Sequence, residues 1–235
     1  MAFWFGDYAT AMPLLVESLE IHRRLDDEEG IAFAQIPLGF IGSVISGLDD
    51  ALPRIEESLR HFRSMGDSWG EVLILNARGF LEIGFGLDIP RSRLQEAFDK
   101  AKLLGTEIEM GMASGNLGTL LVRTGHLDEG RELLRTTLEL LSKHHLRNMV
   151  SYTLDQVAEL QIAEGKPECA ARLFGAAERI RNMVGAVLAP MHEALREELI
   201  RRASEMAGPE KFDAARAEGA ELPFRKAVAE AISLL

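Results

Sequence analysis

The residue types that most often carry chemistry are scattered along this chain. Of the six histidines, only His144 and His145 adjoin, and on a helix they would point about 100° apart rather than toward one metal ion. Cys169 is the single cysteine, and no His or Asp lies at a local spacing that would activate its thiol. HExxH, GxSxG, GxGxxG and calcium-loop motifs do not occur. We therefore expect no catalytic residue, no metal and no cofactor, and structural roles for these side chains.

A different set of side chains has the spacing of one helix face. Met112, Asn116, Thr119 and Arg123 follow one another at steps of four, three and four residues. Neighbouring helices offer comparable residues, namely Asn76, Phe80, Tyr152, Asp155, Gln156 and Glu159. Polar side chains in mid-helix predict a concave groove that binds an extended peptide, a helix or a small molecule. The alternative is that they are solvated or bridge neighbouring helices.

The elements that would position this stripe recur along the chain. Five glycines mark the recurrence: Gly6, Gly47, Gly86, Gly125 and Gly165. They are spaced by 41, 39, 39 and 40 residues. A small residue precedes the last four by seven or eight positions, at Gly39, Gly79, Gly118 and Ala158. The second half of the unit is clearest where AMPLLVESLEIHRRLDD matches ALPRIEESLRHFRSMGD. An array of four to five helical hairpins is predicted.

Glycine inside a helix is about 1 kcal/mol less favourable than alanine, so packing must offset this free-energy cost. We expect two helix backbones to approach closely at the mid-helix position, and the later glycine to end the helix in a left-handed conformation. Pro167 and Pro209 predict helix starts, and Pro37 predicts a kink or a break. A capping box is expected from Ser68 to Glu71.

Composition excludes several classes of partner. Apolar residues make up 47% and charged residues 27%, which favours an ordered globular chain. The net charge of -11 repels phosphate backbones and anionic lipids, so neither nucleic acid nor a membrane is an expected direct partner. The uncharged stretch 31–48 contains a proline and three glycines with acidic flanks, which favours a buried helix over a membrane span. A lone cysteine fits a reducing compartment and predicts a cytoplasmic protein.

The order of small and apolar residues resembles the tetratricopeptide repeat. Two segments follow this order. The first contains Gly118, Gly125, Gly130 and Leu134, and the second contains Ala158, Gly165, Ala170, Phe174 and Ala177. The period exceeds the usual 34 residues, which indicates a long-helix variant. The resemblance implies an all-α, right-handed superhelix of helical hairpins over residues 1–185. Capping helices of the same superhelix are expected over residues 186–235.

The tail is similar to a second and more specific pattern. ARLFGAAERIRNMVGAVLAP and the later EELIRRASEMAGPEKFDAARAEGAELPFRKAVAEAI resemble the end of the helical-repeat region in large bacterial ATP-dependent transcriptional regulators of the MalT-like, AfsR-like and LuxR types. No GxxxxGK[ST] loop occurs, so no ATPase activity is expected. The resemblance implies a non-enzymatic protein-interaction module, the sensor or scaffold part of a transcriptional or signalling regulator. Its partners would be a protein, a peptide or other domains of a longer regulator. The alternative is a sensor whose groove binds a small-molecule effector.

The beginning of the chain predicts self-association. By the forty-residue period, Ala2 to Phe5 correspond to the end of a first helix. Phe3, Trp4 and Phe5 would then expose an apolar patch at the end of the array, and such patches mark association sites. We expect the native protein to extend upstream, and the isolated chain to cover this end as a two-fold dimer.

Overall fold

The computed structural model describes residues 7–235, and every regular element in that range is an α-helix. In chain order the helices are α1 (Tyr8–Arg24), α2 (Glu28–Ile45), α3 (Leu48–Met65), α4 (Ser68–Gly84), α5 (Arg91–Leu104), α6 (Glu107–Arg123), α7 (Leu127–Lys143), α8 (Arg147–Ala163), α9 (Pro167–Val184), α10 (Pro190–Ala207), α11 (Pro209–Ala220) and α12 (Phe224–Leu234). The predicted all-α fold of consecutive helical hairpins is confirmed. Phe3, Trp4 and Phe5, the predicted self-association residues, lie outside the described range.

The chain divides into two compact units. The N-terminal unit contains the residues up to Glu109 together with Val187–Met191. The C-terminal unit contains Met110–Ala186 and His192–Leu235. Each unit has its own set of packed helices.

In the N-terminal unit each helix from α1 to α4 packs against the next one along the chain. The contact between α1 and α2 is apolar and includes Leu19, Ile31 and Leu38. Helix α2 also packs against α4, so the first helices of successive hairpins lie side by side. Phe62 of α3 is fully buried and anchors this layer.

The C-terminal unit is built around α8 and α9. Helix α8 packs against α7 and α9, α11 lies along α9, and α12 contacts α7, α8 and α9. A single apolar core runs through these helices and contains the fully buried rings of Phe174 and Phe212. Ala170 and Ala177 of α9 are fully buried in this core.

The predicted left-handed helix ends are confirmed for four of the five recurring glycines, and the fifth, Gly6, lies outside the described range. Gly47, Gly86, Gly125 and Gly165 all have positive φ. The second helices end in the same way at Asp26, Gly66, Gly105, His145 and Gly185. Asp26 and His145 are not glycines, so this second series was not visible as a glycine period.

The close approach predicted at the mid-helix glycine is confirmed for Gly118. A Cβ on this residue would lie 3.2 Å from the carbonyl oxygen of Gly130 and 3.2 Å from Cγ of Leu134. Both neighbours belong to α7, the second helix of the same hairpin. The free energy that glycine costs inside α6 is therefore offset by packing between the two helices.

The predictions about helix boundaries differ in their outcomes. Pro37 was expected to kink or break its helix, and the break is wrong because α2 runs without interruption through this residue. The N-cap of α4 is Asp67 rather than Ser68, and its carboxylate accepts hydrogen bonds from the amides of Trp69 and Gly70. Pro167 and Pro209 are first residues of their helices, as expected. None of the described helices is long and apolar enough to cross a bilayer.

Candidate functional site

Two of the predicted groove residues meet across the first helices of consecutive hairpins. Arg123 at the end of α6 donates to Glu159 of α8 through two parallel hydrogen bonds, from Nε at 2.7 Å and from Nη2 at 3.1 Å. The side chains are 23% and 12% exposed, so the ion pair lies at the boundary between solvent and the helix interface. A bidentate pair of this kind fixes both side chains in one geometry.

A second contact links the same helices one turn deeper. Gln156 Nε2 donates to the carbonyl oxygen of Gly115 at 3.3 Å, and Thr119 Oγ1 donates to that carbonyl at 2.9 Å. Thr119 and Asn116 are buried. These two residues therefore face neighbouring helices rather than an open groove, whereas Gln156 remains partly accessible.

Tyr152 extends the polar surface toward α10. Its ring packs edge-on against the imidazole of His192, with the centroids 5.6 Å apart. His192 was not among the predicted residues, because no spacing rule connects α8 with a helix two elements further on.

Met112, the first residue of the predicted stripe on α6, is half-buried.

Asp155 forms the centre of a buried ionic cluster. Its carboxylate accepts from Arg181 Nη1 at 2.7 Å and from Arg196 Nε at 3.4 Å. The guanidinium of Arg196 also lies over the ring of Phe174 and donates to the Phe174 carbonyl oxygen. Burial raises the pKa of the Asp155 carboxyl, and the two arginines act in the opposite direction. This arrangement ties α8, α9 and α10 together and leaves Asp155 little contact with solvent.

The two predicted residues of the N-terminal unit are part of helix packing. Asn76 is fully buried, and its Nδ2 donates to the carbonyl oxygen of Glu109 at 3.1 Å. The ring of Phe80 stacks on Phe40 with a centroid separation of 6.0 Å. Both contacts lie within the N-terminal unit.

The accessible part of the predicted groove is thus a small set of half-buried side chains on two helices. We call it the α6–α8 face, and its members are Arg123, Tyr152, Gln156 and Glu159. It offers a guanidinium, a phenol, an amide and a carboxylate, which suits recognition by hydrogen bonds. Across residues 7–235, His, Cys, Asp and Glu side chains form no group of three or more that could hold a metal ion.

Two open clefts lie elsewhere. One runs between α9 and α11 and is lined by Glu178, Arg179, Asp213 and Arg216. The other lies between α1 and α2. Neither includes a residue of the α6–α8 face.

Comparison with known proteins does not assign the chain to a family. No protein-family model matches the chain, and a search of the curated proteins found no match. The class that the fold defines is the all-α protein built from repeated helical hairpins, consistent with repeats of the tetratricopeptide type.

Proposed function

We propose that this chain is a non-enzymatic protein-interaction module that binds a protein or peptide segment over the α6–α8 face. The observation that carries the proposal is the bidentate Arg123–Glu159 pair, with Gln156 and Tyr152 beside it. Because their partners hold these side chains in place, a ligand would lose little conformational entropy in ordering them. Tyr and Arg are also the residue types that contribute most at protein interfaces.

The charge of the chain favours a partner of opposite sign. The net charge is -11, and the Arg123–Glu159 pair adds no net charge to the face. An acidic surface accelerates association with basic segments and slows association with acidic ones. The expected ligand is therefore a neutral or basic peptide segment with hydrogen-bonding side chains.

We propose further that the chain is the sensor or scaffold region of a cytoplasmic bacterial transcriptional or signalling regulator. Its support is the similarity of the tail to the repeat region of large ATP-dependent regulators. Phe174 and Gly175 of the similar run occupy packing positions in α9, the ring in the core and the glycine against α11.

A peptide-display selection on the immobilised full chain tests the binding proposal. Selected peptides are then measured against a swapped pair, Arg123→Glu with Glu159→Arg, which retains an ion pair but reverses its direction. The matched control swaps an exposed pair on α10, Glu198→Arg with Arg201→Glu. We expect affinity to fall at least tenfold for the first swap and less than twofold for the control.

Two results would contradict the proposal. Selected peptides that bind the Arg123–Glu159 swap as well as the wild type would show that the α6–α8 face is not the binding site. A metabolite that raises the melting temperature of the wild type, but not of this swap, would favour the small-molecule sensor instead.

A further inference from the structure

Two stretches of the C-terminal unit carry basic side chains and no acidic ones. The first, residues 142–154, contains the turn between α7 and α8 and the first half of α8. The second, residues 222–229, contains the start of α12. Both are exceptions in a chain whose net charge is -11. Their basic residues are all exposed, namely Lys143, His144, His145, Arg147, Arg225 and Lys226.

Two contacts bring these stretches together. The guanidinium of Arg147 lies over the ring of Phe224, with Cζ 5.2 Å from the ring centroid. Near the other end of α12, the carbonyl oxygen of Ile232 accepts from Arg135 Nη1 of α7 at 3.3 Å. Helix α12 therefore runs antiparallel to α7, and its start lies beside the turn between α7 and α8. We call the surface formed by the six basic residues the α8–α12 patch.

Two arginines form the centre of this patch. Arg225 lies seven residues before Ile232, so it is on the side of α12 that faces α7. Arg147 is held between α8 and α12 by its contact with Phe224, which limits the conformations of its side chain. Two guanidinium groups are therefore presented close to each other, and each can bind a carboxylate through two parallel hydrogen bonds.

The charge of these two arginines is not neutralised within the described residues, 7–235. Neither Arg147 nor Arg225 forms an ion pair there. Asp155 and Glu230 are the first acidic residues that follow the two stretches. Asp155 is bound by two arginines of α9 and α10, and Glu230 accepts two hydrogen bonds from an arginine of α9. The patch is accordingly a local positive surface on an acidic protein.

The patch also has an apolar component. Leu146, Leu222 and Phe224 are half-buried, and each packs against the core of the C-terminal unit while part of its surface stays accessible. They lie next to the basic residues in the sequence. A matching ligand would combine negative charges with apolar side chains, as an acidic peptide does.

The size of the patch favours a short ligand. Glu139 and Glu221, the acidic residues that precede the two stretches, are exposed and limit the patch on the chain. At physiological ionic strength charges are screened beyond about 8 Å, so a short segment responds to the local cations. A nucleic acid would extend onto the acidic surface and be repelled there.

We infer that the α8–α12 patch binds a short acidic peptide segment of a partner protein. Glutamate or aspartate side chains of that segment pair with Arg147 and Arg225, and an apolar side chain between them packs on the accessible part of Phe224. This surface is separate from the α6–α8 face, which suits neutral or basic segments. The two surfaces would let one chain hold two different partners.

The test uses an acidic peptide and the full chain. A fluorescein-labelled peptide of eight glutamates and two leucines is titrated at physiological salt and followed by anisotropy. We expect saturable binding, and at least tenfold weaker binding when Arg147→Gln and Arg225→Gln are combined. The matched control combines Arg23→Gln with Arg24→Gln, which removes the same charge from exposed arginines of α1 and should change affinity less than twofold. A peptide with glutamine in place of every glutamate should bind at least tenfold more weakly than the acidic one.

Further variants separate binding from folding and from the α6–α8 face. Arg225→Gln alone, at an exposed position, should weaken binding at least threefold, and Arg24→Gln is its control. The Arg123→Glu and Glu159→Arg swap should leave binding of the acidic peptide within twofold of the wild type. Thermal unfolding of each variant shows whether the fold is retained.

Four results would overturn the inference. One is the absence of saturable binding to the wild-type chain. Another is undiminished binding to the variant that lacks both Arg147 and Arg225. The third is a single-stranded oligonucleotide of similar length that binds more tightly than the peptide, since the patch would then be a nucleic-acid surface. The fourth is a wild-type dimer in sedimentation that the same double variant converts to monomer, because a second copy of the chain would then cover the patch.

Discussion

Gly175 of α9 and Gly219 of α11 pack reciprocally against each other's helix. A Cβ on Gly175 would overlap the carbonyl oxygen of Arg216, and a Cβ on Gly219 would overlap the carbonyl oxygen of Arg172. The two backbones are therefore in direct contact, and α11 lies closer to α9 than any side chain larger than hydrogen would allow.

This contact predicts that Gly219→Ala destabilises the fold. Alanine is the better helix former by about 1 kcal/mol, but the added methyl group must push two backbones apart. We expect a net loss of about 1–3 kcal/mol in the free energy of unfolding. Urea denaturation measures this loss. The control is Ala217→Gly at an exposed position of α11, which should show only the lower helix propensity of glycine. A Gly219→Ala protein more stable than the wild type would mean that the helices are further apart.

The second prediction concerns Asp155. In Asp155→Ala, Arg181 and Arg196 lose their shared carboxylate while both remain buried. Removing one partner from a buried ionic cluster costs about 3–5 kcal/mol. Asp213→Ala, at an exposed position of α11, should stay within about 0.5 kcal/mol of the wild type. Equal stability of the two variants, measured by chemical denaturation, would show that solvent replaces the missing carboxylate.

The periodic part of this fold could be predicted because its physical causes are local. A glycine at a left-handed helix end and a small residue at a helix crossing leave their mark in the residue type itself, as at Gly125 and Gly118. Asp26 and His145 adopt the same left-handed conformation although they are not glycines, so residue type did not indicate these two helix ends. The break predicted at Pro37 was wrong because the penalty of proline in a helix was considered without the packing of α2 against α1, α3 and α4.

The candidate site was only partly predictable for a different reason. A helical stripe defines which side chains share a face, but not how deeply the neighbouring helices cover it. Asn116 and Thr119 belong to the stripe and are buried, whereas Arg123 at its end is partly exposed. Arg181 and Arg196 lie 26 and 41 residues from Asp155, and only the packing of α9 and α10 brings them together.

The third prediction is that Arg123→Glu changes stability as well as binding. The sequence placed Arg123 on the stripe that lines the predicted groove and left open whether it bridges neighbouring helices. Because Arg123 is paired with Glu159 and mostly covered, reversal places two carboxylates together and should cost about 1–3 kcal/mol. Adding Glu159→Arg should restore most of the loss, and a double-mutant cycle in urea denaturation measures the coupling. A loss that the second substitution leaves unchanged would assign the effect of Arg123 to packing of its aliphatic stem.

The last prediction concerns pH and the N-cap of α2. The amide of Gly30 donates to Asp27 Oδ1 at 2.9 Å, and His22 Nδ1 lies 2.8 Å from Asp27 Oδ2. The Gly30 hydrogen bond, followed by the His22 contact, holds the pKa of the Asp27 carboxyl below its ordinary value. A carboxyl group whose pKa is lower in the folded state stabilises the fold above its unfolded pKa of about 3.9 and loses this contribution as the pH falls through the folded pKa. Wild type should therefore be more stable than Asp27→Asn at pH 7, since asparagine still caps the helix but carries no charge. Urea denaturation across the acidic range should show this difference shrinking below about pH 4. A difference that stays constant with pH would mean that the shape of the side chain, and not its charge, is what α2 requires.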